Sequence, residues 1–316
     1  MQPVCVIIPT MRRTEGVTRA LRSVFAQTDL STRPVSIVVV DNDPAETARQ
    51  AVESLRSGSP FPLAYRHEPR PGVATARNSA LAETPAPLIA FLDDDEAASP
   101  GWLAALLQAQ EQTGADAVFG PITGRVPEGT GWASAYLERF FGREGPASTG
   151  LINHGYGCGN SLMVRSTALP GPAPFDTGAD QTGGEDDALF AALQTRGGRF
   201  GWAADAWVEE FAPPHRATMR YALARAFAYG QGPSQTAAKA RDWAGVARWM
   251  VIGTAQAAVW GLAAIGLTAV AHPRRAEMMD RAARGLGKLF WMKGFEPRFY
   301  GARELRRLET ISPSAA

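Results

Sequence analysis

Cysteine is close to absent from this chain of 316 residues, occurring only at Cys5 and Cys158. Cys5 sits inside an apolar run and neither residue belongs to a spaced pair. That excludes a disulfide framework and a structural zinc site, and fits a reducing compartment. The opening residues lack a basic stretch followed by a long apolar one, so no secretory signal is visible and the chain is expected to start in the cytoplasm. Internal repeats are missing too. Net charge is only +1, yet with 20% charged and 45% hydrophobic residues neither a disordered nor a purely fibrous chain is expected.

The small net charge hides a split. Residues 1–215 carry 16 basic and 25 acidic side chains, whereas residues 216–316 carry 16 basic and 6 acidic ones. The length suits one large domain or two modest ones, and the division is expected after residue 215. A basic second part points to an anionic surface. No nucleic-acid partner is expected.

The first 120 residues alternate short apolar runs with amphipathic stretches. Residues 4–8, 36–40 and 88–92 read as strands, and 16–27 and 45–55 as helices. Such alternation predicts an α/β fold with a mixed, mostly parallel sheet flanked by helices. Ligands of these folds gather beyond the carboxyl ends of strands. Pro9-Thr10, Asp41-Asn42 and Asp93-Asp94-Asp95 occupy those positions. Further on, a strand is predicted over 161–164, a helix over 185–195, another strand over 200–208 and a helix over 217–229.

Four patterns carry chemistry. An apolar run that ends in Asp93, Asp94 and Asp95 concentrates negative charge, which either holds a divalent cation such as Mg²⁺ or Mn²⁺ or forms a solvated, helix-capping turn. Asp41 ends a strand and serves either a ribose or base, or an Asx-type turn through Asn42 and Asp43. Arg77 and Asn78 follow Gly72 in a helix, where Arg77 either meets a diphosphate or pairs with a carboxylate. Gly183-Gly184 leads into Glu185, Asp186 and Asp187, so one of these acids either acts as a general base or merely complements the helix dipole. His215 and Arg216 are weaker candidates for a metal ligand and a phosphate contact.

In their order these pieces resemble the family-two inverting glycosyltransferases of the GT-A fold. The matching stretches are IIPT at 7–10, VVDN at 39–42, GVATARNSAL at 72–81, FLDDDE at 91–96 and GGEDDAL at 183–189. Within that family the chain is most similar to bacterial exopolysaccharide enzymes of the succinoglycan glucosyltransferase type. The resemblance implies that Pro9, Thr10 and Asp41 surround a uridine, and that Arg77 and Asn78 approach the base or diphosphate. Asp93 and Asp95 would bind Mn²⁺ or Mg²⁺, with Asp94 near the ribose or donor sugar. Asp186 would be the base that deprotonates the acceptor hydroxyl, with Glu185 beside it. Asn160 and Arg216 join the substrate-binding set, and His215 the metal set. Many relatives carry their metal-binding histidine just after the last strand, where this chain has Glu209-Glu210, so His215 departs from the pattern. The activity implied is metal-dependent transfer of a sugar, glucose favoured, from a UDP-sugar to a lipid-linked saccharide acceptor in exopolysaccharide synthesis.

Two rival readings differ at the residue level. A nucleotidyltransferase needs a glycine-rich, basic triphosphate loop, and Thr10-Met11-Arg12-Arg13 has no glycine. A non-catalytic, membrane-tethered nucleotide-binding assembly factor has no use for both the acidic triplet and Asp186.

Residues 249–271 form 23 uncharged positions, long enough to cross a bilayer. Basic residues lie on both sides, so a single crossing conflicts with a cytoplasmic location of both flanks. A re-entrant hairpin or an interfacial helical layer satisfies that demand, and a buried hairpin of a soluble subdomain is the alternative. The expected location is the cytoplasmic face of the inner membrane, peripheral or monotopic, against anionic lipid.

Overall fold

The computed structural model describes residues 1–180, 183–297 and 299. The chain divides into two compact units, Met1–Thr123 with Gly142–Glu210, and Gly124–Phe141 with Phe211–Pro297. The division expected after residue 215 therefore falls slightly earlier, and a segment from the middle of the chain joins the second unit. The end of the expected 216–316 region, residues 298 and 300–316, lies outside the described residues.

The first unit opens with β1 (Val4–Thr10), α1 (Thr14–Phe25), β2 (Val35–Asp41), α2 (Arg49–Arg56) and β3 (Leu63–His67). It continues through α3 (Val73–Ala82), β4 (Leu88–Phe91), β5 (Glu96–Ala98), α4 (Trp102–Thr113), β6 (Ala117–Phe119) and the start of β7 (Ile122–Arg125), whose last two residues are counted with the second unit. After α5 (Ser134–Phe141), which belongs to the second unit, come β8 (Gly150–Ile152), β9 (Ser161–Val164) and α6 (Arg165–Ala168). Next follow α7 (Glu185–Thr195), β10 (Phe200–Trp202) and β11 (Val208–Phe211). Eight strands form one sheet in the order β3-β2-β1-β4-β9-β6-β10-β8, and β5-β11-β7 form a small second sheet.

The strands β1, β2, β3 and β4 are mutually parallel, whereas β9 runs antiparallel to both β4 and β6. Burial on both faces explains the unbroken apolar runs. Val4, Val6 and Ile8 face a core shared with α1, α2 and α4, while Cys5 and Ile7 face the core under α3 and α7. Strand order reverses between β1 and β4. The carboxyl ends of those two strands carry Thr10 and the acidic triplet, which is where such a sheet opens to ligands.

The predicted strand over 200–208 is instead two strands in different sheets, β10 and β11. Ala203 ends the first by donating its N–H to Phe119 O, and a turn at Ala203–Ala206 redirects the chain. Short-range pattern holds no information about which sheet a segment joins.

The second unit contains α5 and three long helices, α8 (Met219–Lys239), α9 (Trp243–Ala269) and α10 (Arg275–Leu289). The helix predicted over 217–229 runs on to Lys239, through Pro233. Contacts on either side of the proline hold it: Gln231 Nε2 donates to Phe290 O at 2.6 Å and Ser234 Oγ to Lys288 O at 3.0 Å. Residues 249–271 do not fold back on themselves. They lie almost wholly within α9, one continuous helix capped by Asp242, whose Oδ1 accepts from Gly245 N at 2.8 Å. Of the alternatives open from sequence, neither hairpin forms within this stretch, and Gly253 inside the helix serves packing rather than turning. A Cβ on Gly253 would lie 2.7 Å from Gly285 O, and one on Gly285 would lie 2.8 Å from Gly253 O, so this facing pair lets α9 and α10 approach backbone to backbone.

Candidate active site

The acidic triplet between β4 and β5 is closed into a tight turn. Glu96 N donates to Asp93 O at 3.0 Å, and Asp93 N donates to Glu96 Oε2 at 2.9 Å. Asp94 is buried and fully engaged: Thr10 Oγ1 donates to it at 2.8 Å, Met11 N at 3.4 Å and Arg13 Nη1 at 2.7 Å. The same Arg13 nitrogen lies 2.6 Å from Asp95 Oδ2, so one guanidinium counters two of the three carboxylates. Asp93 keeps 36% of its side chain exposed.

Carboxylates still outnumber cations here. Glu96 is buried and stands opposite Glu210 in the β5–β11 register. Burial, and then the neighbouring carboxylates, pushes Asp93, Glu96 and Glu210 above the ordinary carboxylate range; burial does the same to Asp94, against the pull of Arg13. Such oxygen donors suit a hard divalent cation held by one or two carboxylates together with ligand phosphates. Among the described residues no three His, Cys, Asp or Glu side chains are grouped so as to hold a metal ion by themselves. The donor chemistry fits; a cage made by protein alone is not formed.

Arg77 joins this turn to the start of α7. Its side chain is buried between Phe91 and Phe175, with the guanidinium carbon 5.9 and 5.6 Å from their ring centroids. Nη1 reaches Glu185 Oε1 at 2.5 Å and Nη2 reaches Asp93 Oδ1 at 3.5 Å. The structure thus shows Arg77 paired with carboxylates. Burial raises the Glu185 carboxyl, and Arg77 opposes that rise. Asp186, one residue on, is half-buried. Its Oδ1 accepts from Asp187 N at 2.9 Å and its Oδ2 only a long 3.4 Å bond from Cys158 N. No salt bridge to Asp186 forms among the described residues, and one of its oxygens is weakly engaged.

Other expected ligand contacts are turned inward. Asp41 forms the Asx-type turn: Oδ1 accepts from Asp43 N at 3.0 Å, and Oδ2 from Ala48 N at 2.8 Å and Tyr65 Oη at 2.9 Å. Asn78 clamps Phe175, donating to its O at 2.8 Å and accepting from its N at 3.1 Å. Asn160, at a φ of +50°, donates to Pro121 O and Ala206 O and accepts from Trp102 Nε1 at 2.8 Å. All three side chains hold backbone in place. Pro9 is half-buried beside Val40 at the end of β1. His215 and Arg216 lie in the second unit before α8, where Arg216 sits 5.8 Å from the ring centroid of Tyr221.

Residues 5–168 match the glycosyl transferase family 2 profile. The chain is also 32% identical over 298 residues to succinoglycan biosynthesis protein ExoM of Rhizobium meliloti (strain 1021), covering 94% of this chain and 95% of that one. The chain belongs to glycosyl transferase family 2. Among solved structures, a mannosyltransferase from Pyrobaculum calidifontis in complex with GDP-Man and Mn²⁺ aligns with a TM-score of 0.61 at 20% identity, over 92% of this chain and 88% of that one. S. aureus TarS 1–349 in complex with UDP aligns with a TM-score of 0.53 at 15% identity, over 92% of each chain. The fold is thus GT-A-like, with an apolar C-terminal helix, and the protein is a glycosyltransferase related to succinoglycan biosynthesis proteins.

Several residues that shape this glycosyltransferase's site carry little sequence signal. Arg13 lies in a stretch notable from sequence only for lacking glycine. Arg143 donates to Gly120 O and Asn160 O at 3.3 Å and to Gly157 O at 3.2 Å, fixing the loop before β9. In that loop a Cβ on Gly159 would lie 2.7 Å from Asp93 Oδ2 and 2.8 Å from Glu96 Oε1. Only glycine allows the loop to press so closely on the acidic turn. The Gly157-Cys158-Gly159 spacing is the only local trace of that close approach in the sequence, and none of the motifs above includes it.

Proposed function

We propose that this family 2 enzyme transfers a sugar, glucose favoured, from a UDP-sugar to a hydroxyl of a polyprenyl-diphosphate-linked saccharide in exopolysaccharide synthesis, with inversion at the anomeric carbon. The observation that carries the reading is the Arg77 bridge. It ties the helix bearing Asp186 to the acidic turn at the end of β4, bringing a weakly engaged carboxylate beside donors suited to a cation and a diphosphate.

In this reading Asp186 takes the proton of the acceptor hydroxyl as that oxygen bonds to the anomeric carbon. The bond from that carbon to UDP breaks on the opposite face, and its electron pair leaves with the diphosphate. Glu185, held by Arg77, fixes the first turn of α7 so that Asp186 stays aimed. Pro9, Thr10 and the Asp41 turn form the wall offered to the nucleoside. Asp93 and Asp95 would hold Mn²⁺ or Mg²⁺, which when bound supplies positive charge against the departing diphosphate. The solved relatives named with UDP, or with GDP-Man and Mn²⁺, support a nucleotide-sugar donor and a divalent cation.

The second unit supports work at a membrane. Among the described residues α9 alone is long and apolar enough to cross one, and only 11% of its most apolar stretch is buried. Arg248 precedes the apolar part, and Arg274 and Arg275 follow it. A helix lying in the interface leaves both basic flanks on the cytoplasmic side, where the donor is made.

The test is UDP release by purified enzyme with Mn²⁺ or Mg²⁺, a panel of UDP-sugars and lipid-linked saccharide acceptors. Release that needs the cation and is greatest with UDP-glucose is expected. No release from any UDP-sugar on the panel would sink the reading.

A further inference from the structure

The helical unit contains a cationic pocket with no role in the chemistry above. Gln256 and Trp260 on α9 and Arg281, Arg284 and Lys288 on α10 line a cleft of about 280 Å³. Spacings of three and four residues place these side chains on facing stripes of the two helices. Of the carboxylates of α10, Asp280 counters one cleft cation, accepting from Arg284 Nε at 2.8 Å as well as from Tyr136 Oη at 2.9 Å, and Glu277 is held by Arg139 at 2.6 Å. Arg281 stacks on Trp260, 4.7 Å from its ring centroid. Lys288 is 9% exposed and donates to Arg284 O at 3.4 Å. Among the described residues neither Arg281 nor Lys288 has a carboxylate partner. Gln256 Oε1 is buried without a hydrogen-bond partner.

A largely covered lysine beside two guanidiniums, of which only that of Arg284 has a carboxylate, leaves positive charge that an anion would offset. The cleft is too small for a folded partner or an extended peptide, and its donors suit phosphate oxygens. Gln256 adds an acceptor for a ligand hydroxyl or, with its amide turned, a donor for a phosphate oxygen. Helix α9 also exposes Val251, Val259, Leu262 and Ile265, each by 59% or more, so an acyl or isoprenoid chain has an apolar surface to follow.

We propose that this cleft is a binding site for a phosphate or diphosphate ester, with a membrane lipid as the source of that group. The link to a lipid rests on the membrane reading of the second unit. The cation cluster stands without it, and neither depends on the donor site.

Full-length protein is tested against inorganic diphosphate by calorimetry and against three vesicle types by sedimentation: phosphatidylcholine alone, with phosphatidylglycerol, and with a polyprenyl diphosphate. Arg281→Gln/Lys288→Gln is compared with Arg248→Gln/Arg274→Gln, which removes the same charge from exposed positions outside the cleft. UDP binding and the melting curve report whether each variant is folded, and both should match the parent or, for melting, exceed it. The cleft variant should lose diphosphate binding and lower affinity for phosphate-bearing vesicles by about tenfold or more. The charge-matched variant should lose much less. Loss of diphosphate binding with vesicle binding intact would support the cleft and assign it a soluble phosphate, overturning the lipid source. Equal losses in the two variants, or no diphosphate binding by the parent and no effect on vesicles, would overturn the site. Failure of UDP release leaves these outcomes unchanged, so the two readings fall separately.

Discussion

At the residue scale two arginines organise the acidic centre. Arg13 spans Asp94 and Asp95, and Arg77 spans Glu185 and Asp93. Their partners lie 81, 82 and 108 positions away in the chain for the closest bonds, so no local motif reveals the pairing. The acids themselves were legible because three in a row at a strand end, and three at a helix start, are unusual within short windows. Asp186→Asn should leave UDP binding nearly intact while lowering turnover by about two to four orders of magnitude, read from steady-state rates beside a UDP titration. Asp95→Ala should instead abolish cation-dependent UDP binding; equal binding losses in both variants would mean that the roles are misassigned. Arg77→Ala leaves two acids without their cation at a buried position. Denaturant melts should show a loss of about 3–5 kcal/mol, with Arg77→Lys losing less.

At the element scale the small sheet sets Glu210 of β11 against Glu96 of β5. Burial, then Asp95 and Asp93, holds Glu210 well above the ordinary carboxylate range. A raised acid binds its proton more readily in the folded chain than in the unfolded one. Its contribution therefore favours the fold at low pH and is lost as pH climbs through the raised value. Glu210→Gln should raise Tm over the parent at neutral pH in cation-free buffer, and the gain should fade as pH drops below about 4, where the parent acid is protonated in both states. A gain that persists there would mean that packing, not charge, is responsible. Elements with a strong local period were readable: the ranges 161–164 and 185–195 coincide with β9 and α7. The division of 200–208 was not, because β10 and β11 take their hydrogen bonds from different sheets. A similar remote contact starts α3, where Asp180 accepts from Ala74 N and Thr75 N at 2.9 and 3.2 Å. Removing that cap with Asp180→Ala should cost about 1 kcal/mol in denaturant melts.

At the scale of the whole molecule, an acidic catalytic unit and a basic helical unit share one chain. If α9 lies in a lipid interface, charge on its exposed face should block that contact. Leu262 and Ile265 are 72% and 70% exposed, so Leu262→Glu/Ile265→Glu should fold and bind UDP as the parent does. Each acid placed among acyl chains is unfavourable by about 2–3 kcal/mol. Sedimentation with anionic vesicles should fall by at least tenfold, and addition of salt should release part of the parent protein. Unchanged sedimentation would show that this face is not the contact.

The sequence by itself determined the layer architecture, the acidic strand end, the acids that open α7 and the charge split, since each is written within a window of a few residues or in bulk composition. Hydrophobic period and strand-end chemistry are local properties, and local physics enforces them. Tertiary structure alone decided that Asp41, Asn78 and Asn160 spend their polar atoms on backbone and on the side chains of Tyr65 and Trp102, that Arg13 stands among the acids, and that 249–271 continues as one helix instead of turning back. Each of those outcomes depends on hydrogen-bond partners or packing surfaces supplied by distant segments. A buried polar group takes whichever partner the folded chain brings to it.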